Sequence, residues 1–324
     1  MQTQHTTSNP FEPVNSQSVN AQNVNTQNVN TQSITAQRVI GTLDESKSTD
    51  ISPLEQINYP PTQEYIYVVG HVNAHFPNLS VEKEFYQACV LSQVDVSSIK
   101  SVDDDVALAK LNQDAELTPL LFKGLGLPEN EYVAREMNWL LSNVDNDEVY
   151  TLITDSDDSM RQFIAALGLE MQPVILIGQM MQDGRVLVSN LIPCNSTPVN
   201  KDHLESQNTN MKELVEEIRS LNSNNGIRNE DRALNYTLYN NRKVFSESYN
   251  LCYNPNPSGP NPNGYQLVNV EVVTDWSGDR LVSKLIFNYQ GINTGAKQSW
   301  YSTVDVTGEY PFTLTEWKRF LPRY

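Results

Sequence analysis

The first 63 residues contain few apolar positions and are built largely on a repeated five-residue unit. Each unit begins with one aliphatic residue and has Gln at its fourth position; the units start at Val14, Val19, Val24, Val29 and Ile34. One aliphatic residue per unit buries too little surface to offset the entropy of ordering the chain. The pattern therefore favours a disordered Asn/Gln-rich linker over residues 1–63 rather than a small β-helix.

From residue 64 to residue 253, apolar residues recur with the periods of both strands and helices. The run that begins at Tyr65 is aromatic and β-branched, which is typical of a strand, and the Asp183-Gly184 pair indicates a β-hairpin. Strands are predicted over 65–72, 148–153, 173–178 and 185–191. Helices are predicted from Ser80, from Ser101, and over 129–141, 157–169, 211–221 and 230–249.

The last part, residues 254–324, begins with a segment that can be neither helix nor strand. Four prolines between Asn254 and Gly264 remove backbone donors and restrict φ. Beyond them the apolar period becomes two, which predicts a three-stranded antiparallel meander with one buried face. Its inward positions are predicted to be Val268, Val270, Val272, Leu281, Leu285, Phe287, Trp300, Val304 and Val306. The fold class is therefore α+β, a mixed α/β body with a helical middle and a C-terminal β-meander packed on it as one domain.

Charge and composition exclude several functions. The chain has 22 basic and 39 acidic residues, for a net charge of −17, so it lacks the basic surface that nucleic acids and anionic membranes require. No apolar run approaches the ~20 residues of a membrane span. The first ten residues carry no Lys or Arg and lack the apolar core of a secretory signal. The expected compartment is the cytoplasm.

Candidate metal ligands are few. His71 and His75 stand four residues apart, and with Cys89, Cys194 or Cys252 they would supply three or four soft ligands for zinc, as a metal-dependent hydrolase or a zinc-stabilised domain needs. His71, His75 and Cys89 are taken as the candidate set. On a straight strand, however, positions i and i+4 lie about 13 Å apart, too far for one ion. A bend at Asn73 or Pro77 would be required. Structural histidines are the favoured interpretation, and no cofactor is expected.

No complete catalytic motif is present. No serine has the Gly-x-Ser-x-Gly frame of a hydrolase, and the Gly-Leu-Gly-Leu run at Gly124 lacks the third glycine of a phosphate loop. Cys89, Cys194 and Cys252 form no CxxC pair, and neither Cys194 nor Cys252 has an adjacent His. Buried structural thiols are expected. The sequence favours a non-enzymatic chain over an enzyme without deciding between them, and no catalytic residue is assigned.

Five strings of residues, in this order, resemble the C-terminal domain of the cyanobactin maturation proteins, the PatA/PatG family. They are Glu64–Val72 (EYIYVVGHV), Phe76–Phe85 (FPNLSVEKEF), Glu131–Trp139 (EYVAREMNW), Asp231–Tyr236 (DRALNY) and Val304–Phe312 (VDVTGEYPF). They are spread over residues 64–324. The stretch from Gln172 to Asn210 carries none of them, so its loops are expected to be particular to this protein.

The resemblance implies a role in making ribosomally synthesised peptides. In that family the domain follows a subtilisin-like protease and has no established activity of its own. The strings of a subtilisin triad do not occur in this sequence, so peptide cleavage is not carried over. The resemblance implies a stand-alone or separated accessory module that contacts maturation enzymes or precursor peptide; a homo-oligomer is left open.

Charged and aromatic residues of this part have structural interpretations as well. Asp231, Arg232, Asp305 and Glu309 are expected to form core-supporting ion pairs rather than a binding site. The tryptophans Trp276, Trp300 and Trp317 would anchor an interface if they are exposed.

Overall fold

The structure is a computed structural model that describes residues 37–40, 64–169, 172–199, 209–255, 257–259 and 261–321. These residues belong to one structural unit, Ile34–Tyr324. Within the predicted linker, residues 1–63, the structure describes only Gln37–Ile40, which forms a short strand, β1. The rest of the predicted linker and its repeat lies outside the described residues. No helix among the described residues is long and apolar enough to cross a bilayer.

The first half of the described chain forms a small closed barrel with helices packed against it. The strand order around the barrel is β2-β3-β4-β6-β5. Its strands are β2 Tyr65–His75, β3 Asn138–Asn143, β4 Glu148–Ile153, β5 Val174–Met180 and β6 Val186–Pro193. Its helices are α1 Leu79–Leu91, α2 Asp105–Leu111, α3 Leu117–Leu125, α4 Glu131–Glu136 and α5 Asp157–Leu167.

The second half forms an open sheet whose order is β1-β7-β8-β9-β10. The neighbours from β7 to β10 are antiparallel, and β1 pairs in parallel with β7. Its further strands are β7 Tyr265–Ser277, β8 Arg280–Gly291, β9 Lys297–Asp305 and β10 Phe312–Phe320. Three helices precede it: α6 Thr209–Arg219, α7 Asn229–Asn240 and α8 Arg242–Tyr253. The predicted mixed α+β class with a C-terminal antiparallel sheet is confirmed.

Strand β2 separates two hydrophobic cores because its side chains alternate between them. Ile66 and Val68 belong to the core formed with the barrel and helices α1 to α5. Tyr67 and Val69 belong to a second core, which contains α6, α7, α8 and the inner face of the sheet. A strand that is buried on both faces has apolar residues at successive positions instead of alternating ones. This explains the continuous run of apolar residues that begins at Tyr65.

Gly70 lies where β2 changes partners, from β5 on one side to β3 on the other. A Cβ atom at this position would lie 2.1 Å from the backbone oxygen of Ser142. The close approach of β3 therefore requires glycine here. At the β5–β6 hairpin the predicted Asp183-Gly184 turn is confirmed, with Gly184 at φ +83.

Three helix predictions are wrong in their extent. The helix predicted from Ser101 begins at Asp105, and Asp104 is its N-cap. The helix predicted over 129–141 ends at Glu136, and the residues that follow form β3. Trp139 and Leu141 point into the barrel core with strand period, so pairing with β2 and β4 outweighs the helical spacing. The helix predicted over 230–249 is divided at Asn241, whose side chain donates to Ser302 Oγ at 3.2 Å and to Glu316 O.

The meander register is confirmed at its centre and corrected at one end. Val270, Leu285, Phe287 and Val304 are all buried against the helices. Val268 is 42% exposed instead, because a β-bulge between Leu267 and Asn269 turns Leu267 inward. The sequence interpretation also missed the fourth antiparallel strand, β10.

Candidate functional site

An unpaired strand edge lies at the C-terminal half of β2. Residues Tyr65–Gly70 pair with β5, whereas Gly70–His75 pair with β3 on the opposite side. Beyond Gly70, the side of β2 that faced β5 therefore has no partner strand in the described part of the chain. An unpaired edge presents backbone N–H and C=O groups that another extended segment can bind.

Hydrogen bonds on the two sides of β2, both near its start, show which residues point to this edge. Met180 N–H donates to the oxygen of Glu64 at 2.8 Å on the β5 side, whereas Tyr67 N–H donates to Gly226 O at 3.1 Å on the other side. Because backbone groups alternate along a strand, even-numbered residues point toward the β5 side. Val72 and Ala74 therefore direct their N–H and C=O groups to the unpaired edge.

A side chain closes the far end of this edge. Asn112 Oδ1 accepts from Phe76 N–H at 3.0 Å, and Asn112 Nδ2 donates to Phe76 O at 3.1 Å. These two bonds imitate the pairing of a neighbouring strand. The open edge is thus bounded by β5 at Gly70 and by Asn112 at Phe76, and it has the length of a short peptide.

A groove of about 540 Å³ opens next to this edge, with Val72 in its lining, and its volume is within the size range of binding pockets. Helix α3, the end of α5 and the turn before β4 form its walls. Its lining residues are His71, Val72, Asn73, Ala115, Thr118, Pro119, Phe122, Lys123, Asn146, Ala166, Leu167, Gly168 and Gln172. The apolar wall and the scattered amide groups suit an extended peptide whose backbone pairs with β2.

The groove is weakly charged. Lys123 and His71 are its titratable lining residues, and burial lowers the pKa of His71 below the usual histidine range, so its imidazole is neutral at pH 7. The lining residues include no carboxylate and no thiol. The groove therefore offers hydrogen bonding and apolar contact rather than an acid–base pair.

The structure does not bring the three candidate metal ligands together. His71 and His75 lie on the face of β2 opposite Val72 and Ala74, which pack in the same core as Cys89. The strand runs in regular register to His75 without the bend that shared ligation requires. Among the described residues no group of three or more His, Cys, Asp or Glu is arranged to hold a metal.

The thiols are in apolar surroundings. Cys89 and Cys194 are buried, and Cys252 is partly buried in α8. Burial raises the pKa of Cys89 to about 11 and the pKa values of Cys194 and Cys252 to about 12. These thiols remain protonated at neutral pH, as expected of structural cysteines.

The charged residues of the Asp231–Tyr236 and Val304–Phe312 strings form partly different contacts from those expected. Asp231 pairs with Arg228 at 3.1 Å, and Asp305 pairs with Arg280 at 3.7 Å. Arg232 instead donates to backbone oxygens of the loop between β9 and β10. These residues support the fold.

Sequence reasoning missed the edge residues Val72 and Ala74 and the closing residue Asn112. Val72 and Ala74 are ordinary apolar strand residues, and only the change of partner at Gly70 leaves their backbone unpaired. The residues around Asn112 indicate only the end of a helix. Its hydrogen-bond partner Phe76 lies 36 residues away, so the local sequence gives no sign of this contact.

The fold is that of a mixed α+β domain with a groove next to an unpaired strand edge. A family profile described as PatG Domain matches residues 65–243, and one described as PatG C-terminal matches residues 200–320. The chain therefore belongs to the PatG domain family, and the resemblance seen in its sequence strings is confirmed.

A solved structure described as a PatG domain of unknown function has the same fold. It aligns with a TM-score of 0.55 and 14% sequence identity, covering 80% of this chain and 99% of that chain. No curated protein matches the sequence.

Proposed function

We propose that this chain is a non-catalytic accessory module that binds an extended peptide segment in the maturation of ribosomally made peptides. The observation that carries the proposal is the open backbone edge of β2 at Val72 and Ala74, next to a groove of about 540 Å³ that Val72 lines. Family membership supports the pathway context. The occupant is the precursor peptide or an extended segment of a maturation enzyme, and the compartment is the cytoplasm.

Strand addition explains how the groove binds. An incoming segment pairs its backbone with Val72 and Ala74, and its alternate side chains point toward helix α3 or toward the polar residues near His71. Backbone pairing gives affinity for many sequences, whereas the walls select side chains by size. A module of this kind holds a peptide for another enzyme without a catalytic residue of its own.

The proposal is tested by isothermal titration of the full chain with the precursor peptide that is made with it. We expect saturable binding at micromolar concentration. Ala115→Trp should abolish it, because Ala115 is an exposed lining residue and a bulky side chain there fills the groove. The matched control is Ala109→Trp on the exposed face of α2, outside the groove.

Hydrogen exchange distinguishes strand addition from other binding. The amide protons of Val72 and Ala74 should exchange more slowly when the peptide is bound, because they then donate to its carbonyl groups. Binding that survives Ala115→Trp, or that leaves these two amides unprotected, would contradict the proposed site. No binding of precursor or maturation enzyme would contradict the proposed function itself.

A further inference from the structure

A second cavity, of about 370 Å³, lies between the end of α3, the segment that leads into α4, and helix α5. Its walls are mostly apolar: Leu125 and Ile164 are buried, Leu127 is half-buried and Phe122 is 40% exposed. Every residue that lines it belongs to the described part of the chain. Its volume is in the range of small-molecule sites, and the function proposed above does not use it.

Two side chains of opposite charge line this cavity. Glu131 is the first residue of α4, and Arg161 lies in the second turn of α5. The other lining residues carry no charge. An apolar wall with a few converging polar groups is the usual form of a ligand site, because the polar groups fix the orientation of the ligand.

An alternating row of charges relates Glu131 to Arg161. Arg135 Nη2 donates to Glu131 Oε1 at 2.9 Å and to Asp157 Oδ1 at 2.6 Å, so it holds these two carboxylates together. The pKa of Asp157 is lowered by its hydrogen bond and ion pair with Arg135 and, to a smaller extent, by the charge of Arg161, one turn later on α5. The anion and the cation that line the cavity are therefore the two ends of one row on neighbouring helices.

Both charged groups keep hydrogen-bonding capacity for a ligand. Glu131 Oε1 accepts from Arg135, whereas Glu131 Oε2 has no hydrogen bond among the described residues and is open to solvent. Arg161 donates to Asp158 through Nη1 at 3.0 Å, and a guanidinium has five N–H donors. Because both members of that pair are exposed, it is weak, and the carboxylate of a ligand can compete for Arg161.

We propose that this cavity binds a free α-amino acid with a large apolar side chain, such as leucine or phenylalanine. The side chain packs between Leu125 and Ile164, the ammonium group donates to Glu131, and the carboxylate accepts from Arg161. A free amino acid carries both charges next to one side chain, whereas each end of a peptide carries only one of them. This site is independent of the groove along β2 and of the function proposed for that groove.

The probes are isotope-labelled L-leucine and L-phenylalanine, measured by equilibrium dialysis against the full chain. We expect at least one of them to bind saturably, one molecule per chain, with a dissociation constant below about 1 mM. Its N-acetyl derivative, which lacks the ammonium group, and its amide, which lacks the carboxylate, should each bind about tenfold more weakly or worse. Binding of neither amino acid, or equal binding of the amino acid and either derivative, would overturn the proposal.

Neutral variants test the two charge contacts. Glu131→Gln and Arg161→Gln should each weaken binding of the amino acid about tenfold. The matched controls are Glu216→Gln on α6 and Arg185→Gln beside the β5–β6 turn, each of which breaks an exposed ion pair outside the cavity. Both controls should bind the amino acid as the parent chain does. Unchanged affinity in either cavity variant, or an equal loss in its control, would contradict the proposal.

A bulky substitution tests the position of the site. Ala165 is an exposed lining residue on α5, so Ala165→Trp should fill the cavity and abolish binding of the amino acid. Ala109→Trp on the exposed face of α2 is the matched control. Ala115→Trp, in the groove along β2, should leave this binding unchanged, because Ala115 does not line the cavity. Thermal melting shows whether each variant is folded, and binding that survives Ala165→Trp in a folded chain would contradict the proposal.

Discussion

Arg232 Nη1 donates a hydrogen bond of 2.9 Å to the backbone oxygen of Val306, which ties helix α7 to the loop between β9 and β10. The same guanidinium donates to the oxygens of Gly308 and Glu309. The side chain is 2% exposed, and burial lowers the pKa of Arg232 to about 10. It remains charged at neutral pH, and backbone oxygens receive most of its hydrogen bonds.

Arg232→Met should lower the free energy of unfolding by about 2–4 kcal/mol, because it leaves the oxygens of Val306 and Glu309 without their donor. Urea denaturation measures the change. The control is Arg161→Met, which removes an exposed pair with Asp158 and should cost about 0.5 kcal/mol or less. Similar losses in the two variants would show that the Arg232 contacts contribute little.

Stability should fall as the pH drops below about 6.5. Burial lowers the pKa of His71 and of His75, with a partial opposing effect of Glu148 on His75. In that range the unfolded chain therefore binds more protons than the folded chain, and unfolding becomes easier as the pH decreases. Unfolding free energies at pH 7, 6 and 5 measure the slope.

The double variant His71→Gln, His75→Gln should lose less stability over the same interval, because the two groups that resist protonation are gone. An identical pH slope in the parent and the double variant would mean that other groups cause it.

The three thiols should be nearly unreactive in the folded chain. Raised pKa values keep Cys89, Cys194 and Cys252 protonated at pH 8, and the thiolate is the reactive form. Titration with a chromogenic disulfide reagent should show slow modification of the folded chain and modification of all three thiols in concentrated guanidinium chloride. One equivalent of fast reaction in the folded chain would reveal an activated cysteine.

Two substitutions on opposite faces of β8 should differ strongly in cost. Phe287 is fully buried against Trp317, so Phe287→Ala should lower the free energy of unfolding by about 3–5 kcal/mol. Lys284 is exposed, and its ammonium lies about 6 Å from the rings of Tyr301 and Phe320. Lys284→Ala should therefore cost only about 0.5–1 kcal/mol. Equal costs would mean that both faces of the sheet are covered.

The sequence by itself determined the elements whose signals are local. The strand at Tyr65, the Asp183-Gly184 hairpin and the alternation around Val270, Leu285 and Phe287 follow from side-chain period and turn chemistry. The ordered strings were enough to place the chain in the PatG family, because they depend on residue identity and not on contacts.

The tertiary structure decided what depends on distant partners. Residues 138–143 became a strand because β2 and β4 supply hydrogen bonds on both sides, although the helical spacing continues into them. Asn241 divided a long helix because its amide bonds Ser302 and Glu316, which lie more than 60 residues away.

The unpaired edge of β2 also depends on distant partners. It exists at Val72 because β2 changes partners at Gly70. A single sequence carries no signal for an unpaired strand edge, since the edge is a property of the groups that surround a residue.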